Sequence, residues 1–172
     1  MVKGINKNSK RKFLFSIITL ILSMSNFFTH AQEMPPRPIG ISLLQNLSFG
    51  AFYQGQSGGI VTIDPSGMRT ATGDIILVNY GFSFFPAIFL LEGNPGAIVH
   101  IMAGPDTQLN GSNGGSMTLM VGEFFPGDPI IINVAPPGQM QIHAGGTLLV
   151  GSPAANPPGN YSGFFTVIFI QE

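Results

Sequence analysis

Short apolar runs separated by clusters of Gly, Pro, Asp and Ser make up most of this chain after its first 38 residues. The best-defined stretch extends from Leu47 to Gly73, where apolar runs flank turns at Ser57-Gly58-Gly59 and at Asp64-Pro65-Ser66-Gly67. Apolar runs of this length between turn-forming residues are typical of β-strands joined by tight turns. The pattern therefore predicts a β-hairpin followed by the start of a third strand.

The same pattern continues to the end of the chain and predicts about ten short strands, with a turn signal roughly every 8–12 residues. After Gln32, apolar residues are nowhere kept at helical spacing for three turns without an interrupting Gly or Pro. Strands and turns at this spacing are typical of an all-β sandwich or barrel. We therefore predict a single antiparallel β-sandwich over residues 39–172, with an extended Pro-rich leader at residues 32–38.

The first 31 residues have a different pattern. Five basic residues precede an apolar run from Phe13 to Phe28, and Ala31 follows as a small residue. This order is typical of a cleaved secretory signal peptide. The alternative is an uncleaved membrane anchor, but the apolar run is shorter than the roughly 20 residues of a membrane-spanning helix. We predict a signal helix at residues 1–31, export from the cytoplasm, and no membrane span after cleavage.

Removal of the signal peptide changes the charge of the protein. Only Arg37 and Arg69 remain against eight acidic residues, which gives a net charge of −6. A chain so poor in cations is not expected to neutralise the phosphates of nucleic acid or to bind anionic lipid through a basic patch. The chain also has no cysteine, so disulfides, a thiol nucleophile and thiolate metal sites are excluded.

The end of the chain, from Asn160 to Gln171, is the longest predicted strand. Side chains alternate across a strand, and here both predicted faces are apolar: Tyr161, Phe165, Val167 and Phe169 on one, and Phe164, Ile168 and Ile170 on the other. A strand in a two-layer sandwich normally buries one face only, so the second face needs a cover. The first candidate is the aromatic connector Phe82–Phe85, and the second is a partner that binds the strand by strand addition.

Candidate residues for catalysis or metal binding do not form a recognisable site. His100 and His143 fall on separate predicted strands without the spacing of metal ligands, and we expect both on the solvent face. The serine-hydrolase elbow is absent, and a phosphate-binding loop would need a lysine that the mature chain lacks. We predict no catalytic residue, no cofactor and no metal site.

Most acidic residues fall at predicted turns: Asp64, Asp74, Glu92, Asp106, Glu123 and Asp128. Two of them meeting in space would suit a glycosidase, and several with backbone oxygens would suit calcium, whereas single acids on loops commonly serve solubility. At the Asp64–Gly67 turn we predict a structural role, in which the Asp64 side chain bonds its own backbone.

Arg69 is the only Lys or Arg in residues 39–172. We predict a structural ion pair with a nearby acid that anchors the strand after the turn. The alternative is a buried or interface arginine whose planar guanidinium donates hydrogen bonds to carbonyls at strand ends.

Three groups of motifs resemble one bacterial family. They are Leu47-x-Phe49-Gly50-x-Phe52 with Gly59-x-Val61-Thr62-Ile63 and Pro65-x-Gly67-x-Arg69, then Gly145-Gly146-Thr147-Leu148-x-Val150-Gly151, then Pro158 to Gly163. In this order they resemble the family called domain of unknown function 4402 over nearly all of the chain after about Gln45. The resemblance implies an immunoglobulin-like β-sandwich, distantly similar to spore coat protein U and pilin-like domains. It also implies an exported protein of a Gram-negative bacterium, in the periplasm, on the cell surface or outside the cell.

From these observations we expect a non-enzymatic structural module that assembles, pilus-like or coat-like, by strand pairing with its own copies or with a periplasmic or surface protein. One alternative is a carbohydrate-binding adhesin module, which would present Phe82, Phe84 and Phe85 on its surface. Another is a glycan hydrolase, which would place two carboxylates within roughly 5–10 Å of each other.

Overall fold

The computed structural model describes residues 37–172, and all regular secondary structure in this range is β-strand. In chain order the strands are β1 (Gly40–Gln45), β2 (Ser48–Phe49), β3 (Ala51–Ile63), β4 (Arg69–Val78), β5 (Phe84–Phe85), β6 (Ala87–Glu92), β7 (Ile98–Ala103), β8 (Thr107–Gly111), β9 (Ser116–Phe125), β10 (Ile130–Ile131), β11 (Met140–Val150), β12 (Tyr161–Ser162) and β13 (Val167–Gln171). The predicted signal helix at residues 1–31 and most of the predicted leader lie outside the described residues. Residues 37–172 contain no helix long and apolar enough to cross a membrane.

Strand β11 organises the largest sheet, in which eight strands pair in antiparallel fashion. One edge of β11 pairs with β9, and the two halves of its other edge pair with β6 and β3. From these neighbours the sheet extends to β1 beyond β6, to β4 beyond β3, and to β8 and β12 beyond β9. A second sheet has the order β10-β7-β13, and β2 pairs with β5 in a small ribbon.

Two adjacent glycines in β11 permit close packing at the centre of the large sheet. A Cβ atom at Gly146 would lie 2.7 Å from Leu47 Cδ2 and 3.2 Å from Leu119 Cδ1, and one at Gly145 would lie 2.6 Å from the carbonyl oxygen of Ile63. Contacts this short exclude any side chain without movement of the neighbours. The pairing of β11 with β9 shifts register at the same point, so β11 changes its packing partners at its glycine pair.

The two halves of β11 contribute to two apolar cores. The first core contains Phe49, Val61, Ile63, Met117, Leu119, Leu148 and Val150. The second core contains Leu91, Val99, Ile101, Ile130, Ile132 and Ile142. Since the second core holds residues of β6 and β11 from the large sheet and of β7 and β10 from the three-stranded sheet, the two sheets pack face to face. The predicted all-β antiparallel sandwich is confirmed.

Strands β6 and β7 follow each other directly, although they belong to different sheets. The link between them makes a turn in which the amide of Ala97 donates to the carbonyl of Asn94 (3.1 Å). The amide of Gly96 donates to the carbonyl of Ile132 (2.7 Å), which attaches the link to the segment after β10. A five-residue link therefore joins the two layers around the second core.

The predicted turn at Ser57-Gly58-Gly59 is wrong, because β3 continues through these residues. The β3–β4 hairpin is instead sharply bent there. Its register shifts between Gln54 and Gly59, and Gly73, which pairs with Gly59, has a φ of +76° that favours glycine. Arg69 at the start of β4 donates a hydrogen bond of 3.1 Å to the carbonyl of Val78 at its end. If β4 were straight, its first and last residues would lie roughly 30 Å apart. Because the Arg69 side chain reaches the Val78 carbonyl, the hairpin must fold back at its glycines.

The prediction of one long strand from Asn160 to Gln171 is wrong. This segment forms β12, which pairs with β8, and β13, which pairs with β7 in the other sheet. At the start of the crossing, a Cβ atom at Gly163 would lie 2.7 Å from the carbonyl oxygen of Gln108. The chain therefore leaves the large sheet at a position that only glycine fills without movement, and the longest described strand is β3.

Replacing Ile142 by alanine tests the second core. Ile142 is fully buried, so the substitution should lower the free energy of unfolding by about 2–5 kcal/mol through lost burial and a residual cavity. Urea denaturation of the mature protein measures this change. Ile76→Ala is the control, because Ile76 is exposed on β4; equal losses for the two variants would contradict the assigned core.

Candidate functional site

The structural residues predicted around the turn after β3 lie together. The Asp64 carboxylate accepts hydrogen bonds from the hydroxyl of Ser66 (2.6 Å) and the amide of Met68 (3.0 Å), and these bonds lower the pKa of Asp64. Gly67 has a φ of +88° and donates its amide to the carbonyl of Asp64 (2.9 Å). This is the geometry expected of an aspartate that initiates a turn by bonding its own backbone.

Arg69 contacts backbone carbonyls rather than an acid. Its Nη1 donates to the carbonyls of Phe49 (2.9 Å) and Ala51 (3.1 Å), and its Nη2 donates to that of Val78 (3.1 Å). The guanidinium also lies 4.2 Å from the ring centre of Phe84, a cation–π geometry. No carboxylate among residues 37–172 pairs with it, so the predicted ion pair is wrong, and the alternative of hydrogen bonds to strand-end carbonyls describes the site.

The predicted cover of the terminal strand is also wrong. Phe84 and Phe85 form β5, which pairs with β2, and Phe84 supports the Arg69 guanidinium. Ile168 and Ile170 on the outer face of β13 remain 41% and 47% exposed, and Phe164 before the strand is 93% exposed. The aromatic connector is therefore part of the Arg69 site and leaves the outer face of β13 open.

The inner-facing residues of the terminal segment divide between the two cores. Tyr161 and Phe165 pack against the first core, whereas Val167 and Phe169 pack against the second. The Phe169 ring meets that of Phe89 edge to face, with 5.7 Å between ring centres. The terminal segment thus has one buried side and one open side.

The open side belongs to a larger apolar surface on the three-stranded sheet. We call it the terminal face, and its exposed apolar residues are Ile98, Met102, Ile131, Ile168 and Ile170. They alternate along β7, β10 and β13 with residues of the second core, so the sheet is apolar on both sides. Exposed apolar clusters of this kind mark interaction surfaces. The apolar stretch Ile98–Met102 carried this signal in the sequence.

His100 lies within the terminal face, with its ring between two acids. Its Nδ1 is 3.0 Å from Asp128 Oδ1, and its Nε2 is 3.1 Å from Glu172 Oε1. Hydrogen bonds to Asp128 first and to Glu172 second raise the pKa of His100. The amide of Ile101 (2.9 Å) and then His100 itself lower the pKa of Asp128. Because both ring nitrogens are engaged, the His100 site is a charged hydrogen-bonded cluster.

Other candidate residues form no comparable group. His143 Nδ1 lies 3.2 Å from the carbonyl oxygen of Pro65. No cluster of histidine and acidic side chains in residues 37–172 is arranged to hold a metal ion. A depression of about 140 Å³ between β3, β9 and β11 has Glu123 as its single ionisable residue, whereas a glycosidase mechanism uses two carboxylates.

The comparisons with known proteins give a family match without an assigned activity. Residues 39–170 match the family model described as "Domain of unknown function (DUF4402)". No curated protein and no solved structure matches the chain. The family resemblance predicted from the sequence motifs is confirmed by this match.

Replacing Arg69 by lysine tests the carbonyl site. An ammonium lacks the planar fork that reaches three carbonyls and stacks on Phe84, so Arg69→Lys should lower the free energy of unfolding by about 1–3 kcal/mol. The control is Arg37→Lys, because Arg37 forms an exposed ion pair with Glu92. Weakening this ion pair should change the free energy of unfolding by no more than about 0.5 kcal/mol. Thermal and urea unfolding measure both variants, and an unchanged stability of Arg69→Lys would refute the site.

Proposed function

Because this chain belongs to the DUF4402 family, whose description assigns no activity, we propose its function from its surface. It is an exported, non-enzymatic structural module, and it assembles outside the cytoplasm by adding the edge strand of one copy to the edge strand of the next. The observation that carries this proposal is the unprotected edge of β13, which has an open backbone edge and an open apolar face.

An unpaired strand edge offers a row of backbone donors and acceptors to another strand, and proteins that remain monomeric protect such edges with charges, prolines or very short strands. Seven edge strands occur among residues 37–172: β1, β4, β10, β12 and β13 in the two larger sheets, and β2 and β5 in the two-residue ribbon. Strands β10 and β12 have two residues each, and β4 carries Arg69 and Asp74. Strands β1 and β13 have six and five residues without a charge or a proline.

Strand β1 is open in a similar way. Ile41 pairs directly with Leu91 of β6, and Leu43 pairs with Phe89. Directly opposite residues lie on the same face of a sheet, so Ile41 and Leu43 point toward the side that holds the second core. They nevertheless remain 40% and 53% exposed. An added strand would cover these side chains and pair the free edge.

Two different open edges on one molecule favour an open array. Pairing of β13 from one copy with β1 from the next is a head-to-tail contact, and such contacts produce filaments unless the rotation closes a ring. Each copy would use one edge to receive a neighbour and the other edge to join one. This arrangement supports the pilus-like or coat-like assembly expected from the sequence.

A carbohydrate-binding module is the second candidate, and exposed aromatic side chains favour it. Phe82 is exposed, and the exposed Tyr53 and Tyr80 meet edge to face with their hydroxyls 3.3 Å apart. Phe84 is 37% exposed and has Arg69 against its ring, and Phe85 is half-buried. Calorimetric titration with bacterial and host oligosaccharides tests this candidate: heat of binding that disappears in Phe82→Ser or Tyr80→Ser would support it, and no heat with any glycan would remove it.

The assembly proposal predicts complementary behaviour of two lysine variants. Ile168→Lys places a charge on β13, and Leu43→Lys places one on β1, so each variant blocks one edge. Light scattering should show concentration-dependent polymers for the mature protein and monomers for each variant alone. An equimolar mixture of the two variants should form dimers, because each supplies the edge that the other lacks.

Ile76→Lys is the matched control, since Ile76 is also apolar and exposed but lies on β4; this variant should polymerise like the unmodified protein. If the unmodified protein remained monomeric at all concentrations, the assembly proposal would be refuted. Dimers of each single variant would indicate like-with-like pairing of edges and would overturn the head-to-tail arrangement. Circular dichroism confirms that each variant is folded.

A further inference from the structure

His100, Asp128 and Glu172 connect three elements at one end of the proposed β13 edge. His100 lies on β7 directly opposite Ile170 of β13, and Asp128 precedes β10. Glu172 is the first residue after β13, and its amide donates to the carbonyl of Ile98 (3.0 Å). The Glu172 carboxylate folds back to His100 Nε2 at 3.1 Å. This cluster therefore carries charge at the end of β13, with His100 one strand away from the free edge that a second copy would approach.

The charge of the cluster depends on His100. With a neutral imidazole the two carboxylates carry two negative charges, and with a protonated imidazole, which donates from both nitrogens, the cluster carries one. The described arginines do not balance it: Arg37 pairs with Glu92, and Arg69 binds three carbonyls. From the segment before β1, two backbone groups reach β13: the carbonyl of Arg37 accepts from Gln171 Nε2 (3.2 Å), and the amide of Ile39 donates to Gln171 Oε1 (3.1 Å).

An incoming copy brings no net positive charge to this edge. Residues 37–172 contain two arginines against seven acids, a net charge of −5 with neutral histidines. Arg37, in the segment before its β1, is already paired with Glu92. Like charges at an edge oppose strand addition, so a cluster with two negative charges opposes an incoming copy more strongly than a cluster with one.

We propose that protonation of His100 controls strand addition at β13, with the protonated cluster accepting a second copy and the neutral-imidazole cluster disfavouring it. This inference rests on the proposed assembly and states how pH would regulate that assembly. The control is local, because the same proton that pairs with Asp128 and Glu172 removes one unit of negative charge beside the edge.

The direction of the pH dependence follows from the cluster. Asp128 and Glu172 raise the pKa of His100 above its ordinary value of 6.5. The charged cluster is therefore complete below pH 6.5 and is lost as pH rises through the higher value of the folded protein. The pKa of Asp128 lies below its ordinary value of 3.8, so the carboxylate remains ionised throughout the titration of His100. Assembly should strengthen as pH falls toward mild acidity.

Sedimentation and light scattering from about pH 8 to about pH 5.5, at a constant ionic strength of roughly 0.15 M, measure this effect. If strand addition raises the pKa of the one His100 at each junction by about one unit, the association constant rises about tenfold across this range. His100→Gln keeps hydrogen-bonding groups without the charge, and its association should not change with pH. His143→Gln is the control for general charge effects and should behave as the unmodified protein does.

The outcomes separate the two proposals. No association at any pH would overturn strand addition and its control together. Association whose pH dependence persists in His100→Gln would overturn the control by His100 and leave strand addition standing. Thermal unfolding of His100→Gln establishes that the variant is folded.

A titration of the His100 imidazole by NMR provides a second readout. If protonation and assembly are coupled, the pKa of His100 rises with protein concentration in the unmodified protein. In Ile168→Lys, which blocks the edge but leaves the three cluster residues in place, the pKa should not depend on concentration. A pKa that is independent of concentration in a protein that does assemble would refute the coupling.

Discussion

The bent β3–β4 hairpin depends on the hydrogen bonds of one guanidinium. Arg69 joins the carbonyls of Phe49, Ala51 and Val78, which lie where β2 ends, β3 begins and β4 ends. A lysine has its three donors on one nitrogen and lacks the planar fork whose two nitrogens reach these carbonyls beside the Phe84 ring, and an acid placed nearby would draw the guanidinium away from them. The first core depends on this bend, because the bend allows residues of β2, β3 and β4 to pack in one apolar cluster.

The sequence pattern predicted the all-β content and the Asp64–Gly67 turn because short apolar runs and turn residues act locally, but it placed a turn at Ser57-Gly58-Gly59 where β3 continues with a shift in register. The Asp64–Gly67 turn is an example, since its hydrogen bonds join residues at most four positions apart. The partner of Arg69 was not predictable in the same way. An arginine and several acids suggest an ion pair, but only the folded hairpin shows that three carbonyls surround the guanidinium.

Two other features of the structure were also missed by the sequence prediction, because they depend on contacts between residues far apart in the chain. Alternation predicted which terminal side chains share a face, but it does not show which sheet a strand joins, and so the break after Ser162 was missed although Gly163 marked it. The His100 cluster joins residues 28 and 72 positions apart. No local pattern in the sequence shows such a meeting, whereas the two exposed apolar residues of β7, Ile98 and Met102, lie in a short apolar stretch that the sequence shows.

The direct succession of β6 and β7 has a mechanical consequence. Strand β1 pairs with β6, and β13 pairs with β7, so the covalent link between the partners of the two open edge strands is the turn at residues 93–97. The hydrogen bonds of Gln171 with Arg37 and Ile39 join the two edge strands a second time. In an array joined through these edges, a pulling force would enter at β1, pass through β6 and the link at residues 93–97, and leave through β7 and β13. The second core would bear the tension of the filament, while the hairpin held by Arg69 would lie to the side of the load.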